Sequence, residues 1–178
     1  MKYLDKIIEA AEKFKEEFNK IIELPAEAIE KIVPGQVWKV SFKVGDSEEF
    51  LFAVTTSEAF KELEEIDEAV RILPIFLSPL DECICPKTDL IIEPDKFPTQ
   101  ITSLLEWWNE RPIETSQLKS FFGELSKDQL DQVNELLKEH PNPINKTENL
   151  FLFREEEIAK GSLISQLYFS KLWGYINA

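Results

Sequence analysis

The most reactive side chains fall in one short stretch, Asp81-Glu82-Cys83-Ile84-Cys85. Two thiols one residue apart, beside two carboxylates, could ligate a soft cation or cycle between thiol and disulfide. A structural zinc site takes four ligands, ordinarily from two such pairs, and the sequence holds no second Cys pair. The spacing therefore predicts inert loop cysteines, with no metal and no cofactor. The single histidine, His140, precedes Pro141 at the end of a helical stretch, where an imidazolium complements the helix dipole. One histidine excludes His-pair metal motifs and weakens any Ser-His-Asp proposal. The five glycines are isolated, so the chain lacks a Gly-rich phosphate loop.

Binding chemistry is better represented. Between Gly45 and Ala69 stand nine acids (Asp46, Glu48, Glu49, Glu58, Glu62, Glu64, Glu65, Asp67 and Glu68) against one base, Lys61. Such a run is a solvated surface in its plainer reading and a docking patch for a basic partner in its sharper one. Glu62, Glu64 and Glu65 are the candidate contacts there. Trp107 and Trp108 lie about 100° apart if helical, so one packs inward while the other stays partly exposed. Trp107 is the candidate partner contact of this pair. Near the C-terminus, Tyr168, Phe169, Trp173 and Tyr175 put large apolar area on a short helix, to cover a core or to meet a partner, with Trp173 as the candidate anchor.

The whole-chain balance agrees with protein contacts. Thirty-four acids against 20 bases leave a net charge of −14 over 178 residues. That field repels phosphate backbones and anionic lipid headgroups, so neither nucleic acid nor a membrane is the expected partner. The first residues lack the apolar run of a secretory signal, no stretch is long and apolar enough to span a bilayer, and the cysteine usage fits a reducing compartment. The expected address is the cytoplasm.

These residues must be positioned by elements of two periods. Leu4, Ile7, Ala11, Phe14, Phe18 and Ile21 recur at spacings of three and four, one helical stripe that must bury against the chain's own core or a second subunit. Pro25 opens a second short helix over 26–32. From Val37 to Val44 the period changes to two, and Glu49 to Thr55 returns as a second strand after Gly45-Asp46. A short acidic helix reaching Ile66 follows. Val70 to Leu77 reads as a strand that Pro74 demotes to an edge or bulged position. A short strand over 88–92, a helix over 101–108 and a weakly alternating strand over 113–122 come next. Ser126 with Gln129 caps a helix over 128–139. His140-Pro141-Asn142-Pro143 is the best linker, and apolar helical segments complete the chain. The expected fold is α+β: a small, mostly antiparallel sheet or SH3-like barrel with interspersed helices, flanked by N-terminal and C-terminal helices. The division expected is 1–33 helical, 34–140 barrel-like and 141–178 a helical extension.

Residues 34–137 resemble the MazF/PemK-type toxin family. Pro34-Gly35-Gln36-Val37-Trp38-Lys39-Val40 is similar to that family's opening strand, Arg71-Ile72-Leu73-Pro74-Ile75-Phe76-Leu77-Ser78 to its central strand, and Gln117 to Ser126 to its closing strand and the turn before its last helix. The resemblance implies a small SH3-like barrel, usually dimeric, whose active members cut RNA without a metal. The family's Arg-Pro pair has no counterpart here, because Glu49-Phe50-Leu51 occupies its place. Ser78 stands where the family's hydroxyl sits, and Arg71 is the only nearby cation, so these are the weak catalytic candidates. Three functions follow: a non-catalytic protein-interaction module acting through a protein partner or self-association, a divergent metal-independent endoribonuclease using a basic groove of Arg71, Arg111 and Lys119, or an acidic inhibitor mimicking nucleic acid through the Glu48 to Glu68 patch.

Overall fold

The computed structural model describes residues 23–77, 79–85, 88–98, 100–140 and 148–177, together with Glu9 and Glu12. The N-terminal apolar stripe lies outside the described residues. Glu9 and Glu12, between its positions, are helical and exposed. The chain is α+β, with eight strands in one antiparallel sheet and three α-helices after them among the described residues.

The longest ladder is the hairpin of β2 (Gln36–Val44) and β3 (Ser47–Thr55), whose register runs from Val37↔Val54 to Val44↔Ser47. Gly45 carries φ +60° at the turn, the positive value that the first position of a tight hairpin turn can require. β4 (Ala69–Leu77) pairs with β3 on one side. Its other side is shared by β7 (Arg111–Glu114), opposite residues 69–72, and β6 (Ser103–Leu105), opposite residues 75–77. β5 (Leu90–Ile92) continues beyond β6, while β8 (Leu118–Glu124) and the short β1 (Leu24–Pro25) extend the sheet past β2.

Pro74 therefore lies in an interior strand, not at an edge. It falls where β4 changes partner from β7 to β6, and its carbonyl accepts from Glu106 N at 3.0 Å on that side. The N–H and C=O of a strand residue point the same way, so the donor that proline lacks would face this break in the ladder.

Alternation sends neighbouring residues to two cores. Val37, Phe52, Val54, Leu73 and Ile75 join Trp107, Phe122 and Val133 in one, while Trp38, Val40, Ala53, Val70 and Ile72 join Ile113, Leu118 and Ile164 in the other. Val133 belongs to α1 (Lys127–Glu139) and Ile164 to α2 (Glu148–Ile164), so different helices close the two cores. α1 starts at the expected capping box, Ser126 Oγ accepting from Gln129 N and Gln129 Oε1 from Ser126 N. It ends at His140, which sits in the left-handed region and donates its N–H to Leu136 O.

Three expected helices are replaced. Residues 26–32 form only a 3-10 turn, Ala26–Ala28. The acidic stretch before Ile66 is not helical: Phe60 bridges Ala69, and Phe60, Leu63 and Ile66 pack as a loop against Tyr168 and Leu172 of α3 (Gln166–Ile176). Residues 101–108 give β6 and a 3-10 turn, Trp107–Asn109. Ser103, Leu104 and Leu105 are all fully buried, because β6 has β4 and β5 on its two edges and core on both faces. Consecutive apolar residues there signal a doubly covered strand.

Candidate interaction surface

α2 meets the sheet through a stripe at helical spacing: Leu150, Phe153, Arg154, Glu157, Gly161 and Ile164. Two of these are charged, and each finds compensation. Arg154 pairs through Nη2 with buried Asp89, whose other carboxylate oxygen accepts from Cys85 N at 2.7 Å. The guanidinium stacks 4.6 Å from the centre of the Trp108 ring, a cation–π contact for nitrogens that find no hydrogen-bond acceptor. Leu150 and Phe153 flank it, packed on Cys83 and Leu104. The two cysteines form no disulfide, and among the described residues no group of three or more His, Cys, Asp and Glu could hold a metal ion.

One turn further, Glu157 meets Glu106 at the break in the sheet. Glu106 is fully buried, and its Oε2 accepts from Asn109 Nδ2 at 3.1 Å. The same nitrogen donates to the carbonyl of Glu157 at 2.9 Å, while Asn109 Oδ1 accepts from Arg111 Nε at 2.9 Å. The other oxygen of Glu106 meets no donor. Burial, followed by the neighbouring Glu157 carboxylate, holds the Glu106 pKa well above the usual range. A protonated Glu106 carboxyl is thereby favoured over the carboxylate. Lys160 pairs with the far side of Glu157 at 2.5 Å; burial works against its charge, but the carboxylates beside it raise its pKa. Burial lowers the pKa of Arg111. Gly161 fits over this cluster because a Cβ there would stand 2.5 Å from Asn109 Oδ1. Gln117 completes the seam, its Nε2 donating to Ser41 O and Ile164 O, both at 3.0 Å.

α3 lies on the acidic loop. Tyr168 packs on Ile66 and Ala69, and its hydroxyl donates to Glu62 Oε2 at 3.4 Å. Lys171 bridges Glu114 at 2.8 Å and Asp67, an arrangement that lowers the Asp67 pKa. The charge of Glu65 raises the pKa of Tyr175. Glu64 is exposed. The face of α3 roughly a third of a turn round from Tyr168 carries Phe169, Trp173 and Ile176, 40%, 60% and 58% exposed, at positions i, i+4 and i+7. Of the twelve large apolar residues that are exposed among the described residues, nine lie on α2 and α3.

Of the residues singled out in the sequence, Trp173 thus stands on an open face, with the loop of Glu62, Glu64 and Glu65 beneath the same helix. Trp107 does not reach that face. It is buried, its Nε1 donating to Thr88 O at 2.8 Å, because the 3-10 turn directs it into the first core. Arg71 pairs with Glu110 at 3.7 Å, and Glu110 also accepts from Thr56 Oγ1. Ser78 lies outside the described residues. Arg111 is turned to Asn109, and Lys119 stands apart with its Nζ on Ser116 O. Glu106, Asn109, Gln117, Arg154, Glu157 and Gly161 were not legible as a group. They come from three separated stretches, and only the fold joins them.

No protein family matches the sequence, and no curated protein matches it. Solved structures do match, among them an endoribonuclease in complex with its cognate antitoxin from a mycobacterial species. The two chains are 15% identical with a TM-score of 0.45, over 65% of this chain and all of that one, a likeness of chain path from which no activity follows. Among the described residues no helix is long and apolar enough to cross a membrane.

Proposed function

We propose that this chain is a protein-interaction module whose contact surface is the outer face of α3, and that it receives a basic amphipathic helix of a partner protein. The carrying observation is the stripe of Phe169, Trp173 and Ile176, an apolar row left open on a helix whose other face is already buried. Apolar anchors at i, i+4 and i+7 are the spacing by which helices recognise one another, and a half-exposed tryptophan is a frequent anchor. The loop beneath α3 supplies the charge. Glu64 and Glu68 are exposed, and Asp67 reaches the same helix through its ion pair with Lys171. A second copy would bring its own −14 to this face, so like-charge repulsion favours a basic partner over self-association.

A labelled Leu/Lys amphipathic helical peptide and its Leu/Glu counterpart, titrated against the full chain by fluorescence anisotropy, test this. The Leu/Lys peptide should bind, and Trp173→Ala should weaken it about tenfold or more, as truncation of an anchor residue does. Equal binding of both peptides, or indifference to Trp173→Ala, would overturn the reading. A dimer dissolved by Trp173→Ala would replace the basic partner with a second copy.

The rival reading, a metal-independent endoribonuclease, requires a groove in which cations converge on a phosphate. Arg71, Arg111 and Lys119 instead have separate surroundings: Glu110, the buried Asn109 and the Ser116 carbonyl. Unstructured RNA incubated with the chain in chelator is expected to stay intact. Discrete cleavage lost in Arg71→Ala/Ser78→Ala would restore the enzyme.

A further inference from the structure

Where α2 gives way to α3, the helices arch over the end of the β2–β3 hairpin and leave a cleft of about 670 Å³. That is within the range of small-molecule pockets, roughly 300–1,000 Å³. Its apolar wall is Phe42, Leu163 and Leu167; Lys43 and Lys119 enter from the strands. Neither lysine has a carboxylate partner. The Lys43 ammonium makes no hydrogen bond or ion pair among the described residues, although Glu48 stands across the ladder from it and also lines the cleft. Lys119 donates only to the Ser116 carbonyl at 3.1 Å.

Two ammonium groups without a carboxylate partner thus border one cleft that has an apolar wall. Three other lysines are held by carboxylates, Lys31 by Glu58, Lys160 by Glu157 and Lys171 by Asp67 and Glu114, whereas Lys43 and Lys119 border the cleft without one. The last turn of α2 borders the cleft through Leu163 and Ile164, and the first turn of α3 through Gln166 and Leu167. We infer that this cleft binds a small organic anion with an apolar body, its acid group held between Lys43 and Lys119 and its body laid on Phe42, Leu163 and Leu167. The site is separate from the outer stripe of α3, since Leu167 faces the cleft while Phe169, Trp173 and Ile176 lie round the helix on the other side of Tyr168.

Anilinonaphthalenesulfonate, dodecanoate and the uncharged N-phenylnaphthylamine, titrated against the full chain, test the assignment. The sulfonate should bind at one saturable site, with dodecanoate displacing it. The exposed pair Lys43→Gln/Lys119→Gln should weaken the sulfonate about tenfold or more, the range of a lost charge-assisted contact, and leave the uncharged analogue unmoved. Unchanged sulfonate binding in the double variant overturns the inference. So does sulfonate binding that survives the lysine changes and is lost in Trp173→Ala, which would move the site to the outer stripe.

Discussion

Gly161→Ala is expected to lower the unfolding midpoint by roughly 6–12 °C, against a small rise for Gly174→Ala. Both glycines lie within C-terminal helices, so each substitution gains about 1 kcal/mol of helix propensity. Their surroundings decide the sign. A Cβ at position 174 meets nothing within 4 Å, whereas at 161 it would stand 2.5 Å from Asn109 Oδ1 and 2.9 Å from Arg111 Nε. Neither atom can retreat without loss, because Asn109 is fixed by Glu106, the Glu157 carbonyl and Arg111 at once. Overpacking costs about 1–3 kcal/mol, and freeing a buried polar group about as much again. The net loss is about 3 kcal/mol, which for a chain of this size gives the stated shift. Calorimetry of the two variants measures it. Hydrogen exchange should show the α2 amides opening first in Gly161→Ala. Equal midpoints for the two variants would mean that the seam does not hold α2.

The second large effect is expected from Glu106→Gln, which should stabilise the chain by about 1–3 kcal/mol near pH 8 and hardly at all near pH 5. Burial and the Glu157 carboxylate raise the folded pKa of Glu106 above its ordinary 4.5. A group raised in this way binds its proton more tightly in the native state. The stabilisation is complete below 4.5 and drains away as pH rises through the folded value. Glutamine keeps the oxygen that accepts from Asn109 and offers Glu157 a permanent donor, so the variant loses that decline. The groups facing Glu106 are Glu157 and Lys160 from α2 and Asn109 with Arg111 from the strand side. Lys160 stays charged across the window, since the nearby carboxylates raise its pKa. Asp67 acts in the opposite direction: its lowered pKa gives a stabilisation lost only as pH falls below its ordinary 3.8, outside this window. Urea unfolding at several pH values checks the prediction. Parallel curves for parent and variant would show that Glu106 is ionised throughout.

Much of the sheet was legible because its signals are local. Alternation from Val37 to Val44, the Gly45-Asp46 turn and the Ser126–Gln129 capping box each specify their geometry within a few residues. The failures share one cause. Ser103-Leu104-Leu105 has no alternation because both faces are covered, and Phe60, Leu63 and Ile66 mimic helical spacing while serving as a loop lid on Tyr168. In both cases a distant element, not the local pattern, decides the structure. Trp173 was legible as an apolar excess on a short helix. The cluster at Glu106 was not, since a glutamate in a sequence reads as a solvated charge until the fold buries it.

The seam between the sheet and α2 also bears on how the chain is made. A ribosome delivers polypeptide from the N-terminus, so strands β2 to β8 exist before Arg154, Glu157 and Gly161 have been translated. In that interval Glu106, Asn109, Arg111 and Gln117 are served by water, which is a good partner for every one of them. An all-apolar seam would instead offer a sticky face to neighbouring nascent chains. The polar latch therefore keeps part of the still uncovered sheet wettable during translation, and it closes only once α2 leaves the exit tunnel.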